Sequence, residues 1–178
     1  NIHTPDECIR ALLSHKDYAD KKNHIIIFQI ERVRRIRAKS TPTNQNLNLC
    51  ISILETLRPS KDRDDYGGIY VPSEAVEGLV ELQKALTYGR TFMFKKVLLS
   101  TKQCRKLLNA VKNPKFDNLR NIFLWWTYVI DARTFSKCYM KKEALRSLYL
   151  ANEIKSIDKN KQKYLEGISP PKREVDYV

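Results

Sequence analysis

The sequence predicts a mostly α-helical fold: six to eight helices, arranged as a compact bundle or a short array of helical hairpins, with at most one short strand pair. Three observations carry this expectation. Apolar residues recur at helical spacing through most of the chain, and hydrophobic residues at 42% can build a core that charged residues at 30% can cover. Glycine at 5 and proline at 7 are scarce, which favours helices over a turn-rich β-sandwich. The breakers that do occur fall between the periodic segments and delimit them. A chain of 178 residues fits one domain of this kind. Residues 1–157 read as a single helical domain, and 158–178 as a basic C-terminal extension with a proline-containing tail. The start at Asn1 and the Ser-Pro-Pro tail point to a piece of a longer protein with further domains.

Thr4-Pro5-Asp6-Glu7 opens a helix, with Thr4 as cap, Pro5 at the first helical position and Glu7 completing a capping box; Ile9, Leu12 and Leu13 form its apolar face to about His15. The segment from Asp17 to Lys39 contains the β-branched run Ile25-Ile26-Ile27, but its length and the Ile26, Ile30, Val33 series favour a helix. Pro42 breaks the pattern. Leu47, Cys50, Ile51, Leu54 and Leu57 resume it until Arg58-Pro59. Ser60 to Gly68 is a polar loop, and Ile69-Tyr70-Val71 is a short strand candidate. Pro72-Ser73-Glu74 starts a helix with Val76, Leu79, Leu82 and Leu86 inside and Gly89 as its stop.

Thr91 to Leu99 is ambiguous between helix and strand. Ser100 to Asn113 is a clear helix, with Ser100 and Gln103 resembling a capping box and Cys104, Leu107, Leu108 and Val111 on one face. After Pro114, a helix from Phe116 carries Leu119, Ile122, Phe123 and Trp126 on one face and Leu124, Trp125, Tyr128 and Val129 on the others. A helix apolar on most sides belongs at the centre of the domain. A further stretch, broken near Ser136 to Tyr139, runs to about Ile154 with Leu145, Leu148 and Tyr149 inside. No fixed period between 30 and 45 residues is found; helix boundaries repeat while the residues do not.

Charge is the outlying property. The formal net charge is +13, and between Glu81 and Asp117 there is no acidic residue while nine basic ones occur. A surface so charged repels itself unless an anion sits against it, and net charge informs on association more than on fold. Lys102, Arg105, Lys106 and Lys112 fall opposite the apolar face of the 100–113 helix, and Arg90, Lys95 and Lys96 precede it. Arg34, Arg35 and Arg37, with Arg32, form a candidate second patch. These residues are the candidate nucleic-acid-binding set. Tyr70, Tyr88 and Tyr139 lie beside polar or basic residues and are candidates for stacking on bases.

Other chemistries find little footing. Cys8, Cys50, Cys104 and Cys138 form no CxxC pair, and Cys50 and Cys104 lie on apolar faces as small hydrophobes. They read as reduced thiols, which places the chain inside the cell, nuclear or cytoplasmic. His3, His15, His24 and Cys8 lack the tight ligand spacing of a zinc site. Asp62 to Gly67 fails as a calcium loop because Ser73 stands where the glutamate belongs. No nucleophile elbow, P-loop, dinucleotide fingerprint or metalloprotease motif occurs, so neither a catalytic site nor a cofactor is implied. The longest apolar run, Ile122 to Trp126, is far short of a membrane span. The leading expectation is a non-enzymatic domain that contacts the phosphate backbone of RNA or DNA. The alternative is a helical scaffold that recognises an acidic or phosphorylated protein segment, with Trp125 or Trp126 as an interface anchor.

Overall fold

The structure, a computed structural model, describes residues 22–38, 42–59, 65–66, 69–70 and 72–154. The expected helix from Thr4 to His15 and the 158–178 tail lie outside these residues. Among the described residues there are six α-helices: α1 (Lys22–Ala38), α2 (Asn44–Thr56), α3 (Ser73–Arg90), α4 (Phe94–Ala110), α5 (Asp117–Lys137) and α6 (Lys141–Asn152). A 3-10 turn, Pro114–Phe116, leads into α5. Two-residue strands β1 (Asp65–Tyr66) and β2 (Ile69–Tyr70) pair antiparallel, Asp65 opposite Tyr70. The fold is mostly α with one short strand pair; β1 lies within the segment read as loop.

The helices pack as three consecutive hairpins, α1–α2, α3–α4 and α5–α6. Helix α3 lies along α4 and α5 along α6 most extensively. The second helix of one hairpin also touches the first helix of the next, and the first helices touch in turn, α1 on α3 and α3 on α5. Helix α5 therefore has neighbours on three sides, which is why its apolar residues wrap most of its circumference.

A shared register underlies this packing. The fourth, seventh and eleventh residues of each second helix are buried: Leu47, Cys50 and Leu54 in α2; Val97, Ser100 and Cys104 in α4; Ala144, Ser147 and Ala151 in α6. Between the second and third hairpins the correspondence is closer, at a shift of 47 positions (Phe92 to Tyr139). Buried Val80, Leu82, Gln83, Ala85 and Thr87 of α3 match buried Thr127, Val129, Ile130, Ala132 and Thr134 of α5. Thr87 and Thr134 each donate to the carbonyl four residues earlier, at 2.8 Å. Both hairpin turns place their middle residue in the left-handed region, Phe92 at φ 57° and Tyr139 at φ 58°. Both close with a backbone bond from the following methionine, Met93 N–H to Tyr88 O and Met140 N–H to Phe135 O. Register persists where side chains change, and the shift of 47 lies just beyond the 30 to 45 residues over which the sequence shows no period.

Three expectations are corrected. Helix α3 passes through Gly89 to Arg90 and stops because Phe92 turns left-handed. Helix α4 starts at Phe94, not Ser100; Val97 extends the buried series backwards, so Ser100 sits mid-helix at 6% exposure and caps nothing. In α6, Leu145 and Tyr149 face outward and the small Ala144, Ser147 and Ala151 face α5, since small residues let two helices approach closely. The α4 C-terminus is closed by Arg120, whose Nη1 donates to Val111 O at 3.0 Å.

Leu108 is 2% exposed and lies against Gly78, where even an added Cβ would come within 3.1 Å of its Cδ2. We expect Leu108→Ala to lower unfolding free energy by about 2–5 kcal/mol. Leu145→Ala, on the outward face of α6, should change it by less than about 1 kcal/mol. Urea unfolding followed by circular dichroism checks both values.

Candidate functional site

Helix α4 divides its basic residues between two environments. Lys95, Leu99, Lys102 and Lys106 follow one another at four, three and four residues, so they share one stripe, and all four are exposed. Arg90 is exposed at the end of α3, and Lys112 and Lys115 are exposed beyond the end of α4. No acidic residue lies in the first turn of α4, where Lys95 and Lys96 stand instead. Cations at the positive end of a helix dipole are unfavourable by about 0.3–1 kcal/mol each, and they strengthen the positive potential there. Lys96 is partly engaged: its Nζ lies 3.8 Å from Glu55 Oε1 and 5.1 Å from the centroid of the Tyr88 ring.

Arg105 belongs elsewhere. It sits one helical step off the stripe, its side chain 19% exposed, with Nη1 2.7 Å from Asp131 Oδ2. Its guanidinium lies 4.7 Å over the Tyr128 ring. Asp131 is 5% exposed and also accepts a hydrogen bond from Thr101 Oγ1. Burial raises the Asp131 pKa, and Arg105 and the Thr101 hydroxyl pull it back. A cation held this way joins α4 to α5 and is not available to a phosphate. Lys84 is likewise withdrawn, 2.7 Å from Glu81.

The second patch does not assemble as expected. Arg37 turns inward and donates to Gln83 Oε1 at 2.7 Å, Thr87 Oγ1 at 3.3 Å and Gln83 O at 3.4 Å, tying α1 to α3. Burial lowers its pKa to about 10, so it stays cationic at neutral pH. Arg34 and Arg35 are exposed but share Glu31, at 2.8 and 3.1 Å. Both inward arginines found their partners across long sequence separations, which charge counting along the chain does not register.

Sequence reasoning also missed residues. Lys137, Lys141, Lys142 and Arg146 are exposed around the α5–α6 turn. Lys137 Nζ lies 5.8 Å from the centroid of the Phe92 ring, which brings the α5–α6 turn beside the α3–α4 turn. Phe92 is 71% exposed and Tyr139 96%. The available signal was the recurrence of Phe92-Met93 as Tyr139-Met140, and of Lys95 as Lys142, at the shift described above. Of the tyrosines proposed for stacking, Tyr88 is buried and its hydroxyl donates to Glu55 Oε1 at 2.7 Å, Tyr139 is free on the surface, and the Tyr70 side chain lies outside the described residues.

Cys50 and Cys104 are fully buried, and burial pushes the Cys104 thiol up to about 12, so it is no thiolate at neutral pH. Among the described residues no group of three or more His, Cys, Asp or Glu side chains converges on a metal position. No described helix is long and apolar enough to cross a membrane. Compared with known proteins, the chain matches no family model, no curated protein and no solved structure.

Arg105→Ala strands a buried carboxylate and should cost about 3 kcal/mol of stability, whereas Lys102→Ala should change stability by less than about 0.5 kcal/mol. Thermal unfolding distinguishes them. Alkylation of the native protein by iodoacetamide at neutral pH should label Cys138 and spare Cys50 and Cys104 until the chain is unfolded, as read by peptide mass spectrometry.

Proposed function

We propose that this chain is a non-enzymatic array of helical hairpins that binds nucleic acid through its phosphate backbone. The observation that carries the reading is the exposed line of Lys95, Lys102 and Lys106 on α4, extended by Arg90 at one end and Lys112 and Lys115 at the other, within a stretch that has no carboxylate. Phosphates spaced along a strand match cations spaced along a rigid helix, and each contact releases condensed counterions. Backbone contact without base reading fits a helix on which every exposed charged group is an ammonium. The acidic-peptide alternative has less support. The tryptophan anchor expected for it is withdrawn, since Trp125 is 8% exposed and Trp126 packs edge-on against it at 5.4 Å, between two parts of the core.

The test is a titration of labelled single-stranded and duplex oligonucleotides at several salt concentrations. We expect affinity to fall steeply with salt, with a log–log slope of about −0.7 to −0.9 per phosphate contacted. The variant Lys102→Glu/Lys106→Glu should lose at least about tenfold in affinity at low salt, with a shallower slope and an unchanged melting temperature. Wild-type protein that binds neither oligonucleotide at low salt would remove the proposal.

A further inference from the structure

We infer that the α3–α4 and α5–α6 turns form a paired stacking platform for single-stranded nucleic acid, with one base on Phe92 and a neighbouring base on Tyr139. The inference rests on the phosphate-binding reading and adds the form of the strand and a second set of contacts.

Local stability alone would not choose these residues. The left-handed position after a helix is where glycine or asparagine is favoured, and an ordinary residue there costs about 1–2 kcal/mol. The next position opens a helix, where serine, threonine or aspartate would bond a free backbone N–H. The chain instead carries Phe92-Met93 and Tyr139-Met140, and neither methionine makes a side-chain capping bond. Burial does not compensate. Phe92 is 71% exposed, Tyr139 96%, Met93 39% and Met140 42%. The same unfavourable choice is made twice, at equivalent positions in two hairpins, and both times it presents an aromatic ring to solvent.

The surroundings select the occupant. Arg90 and Lys95 flank the first ring, and Lys137, Lys141 and Lys142 flank the second. Lys137 Nζ sits over one face of the Phe92 ring, 5.8 Å from its centroid, so a base would stack on the other face with an ammonium group close by. A lipid surface favours apolar tips that project beyond their lysines, whereas a nucleotide needs a ring and a cation side by side. Tyr139, the most exposed of the four, carries a polar hydroxyl. Adjacent packed helices stand about 8–10 Å apart. That is more than the roughly 3.4 Å rise of stacked bases, so two bases can occupy both rings only on a strand that is opened out. A duplex cannot do this. Among the described residues two turns carry such an exposed ring, Phe92 and Tyr139, so the platform has two places.

The test uses Phe92→Leu/Tyr139→Leu, which keeps apolar bulk and removes the π faces. Fluorescence anisotropy at fixed salt should show single-strand affinity falling about tenfold or more for each ring replaced, with duplex affinity and salt slope unchanged. An oligonucleotide carrying 5-iodouracil should photocrosslink wild-type protein at Phe92 and Tyr139, which mass spectrometry reads without any variant. Unchanged single-strand affinity, or crosslinks confined to other residues, overturns the inference. So does wild-type binding to phosphatidylserine vesicles that the double variant retains while its oligonucleotide affinity is unaltered; the turns would then belong to a lipid surface. If Lys102→Glu/Lys106→Glu abolishes oligonucleotide binding and the leucine variant does not affect it, the stacking platform fails while phosphate binding stands. If wild type binds no oligonucleotide, both fail.

Discussion

Asp131 fixes how this basic molecule faces its surroundings. It is the one charged residue among those described that is buried outright, and both of its partners, Thr101 and Arg105, come from α4. Two bonds from one helix to a point on α5 set the rotation of α4 about its own axis. That rotation turns Lys95, Lys102 and Lys106 to solvent and Cys104 and Leu108 to the core. The same contact joins the second hairpin to the third. A buried carboxylate is tolerated only with its charge and lone pairs engaged, so Arg105 is committed to structure, as Lys84 is to Glu81 and Lys96 in part to Glu55, while Lys95, Lys102 and Lys106 stay exposed.

Much of the fold was legible because it depends on local pattern. The apolar series Leu47, Cys50, Leu54 and Val76, Leu82 sit where their spacing places them, and the breaks at Pro42, Pro59 and Pro114 fall between helices. What failed was position within a pattern. Ser100 looks like a cap because a serine three residues before a glutamine has that form, yet the helix had already begun six residues earlier. Leu145 and Tyr149 look like core because they are apolar, yet α6 presents its small residues inward. Tertiary packing decides between two plausible faces of a short helix, and a single chain does not display its neighbours.

The site divides along the same line. The lysines of α4 were legible as a stripe because three-, four- and seven-residue spacing fixes direction on a helix. Arg37 and Arg105 were not, since their acceptors, Gln83 and Asp131, lie far away in sequence and only folding brings them near. Of the two turn aromatics, Tyr139 was legible from its basic neighbours, whereas Phe92 was not: it sits beside Met93 and Phe94, and only its backbone conformation and exposure set it apart.

Those two backbone conformations set durability against use. Glycine would relax each left-handed turn and remove exposed apolar surface in one step. A laboratory selection for heat resistance alone should therefore drift toward glycine at positions 92 and 139. It would yield a hardier scaffold with a blank end, its hairpins intact and its two aromatic fingertips gone.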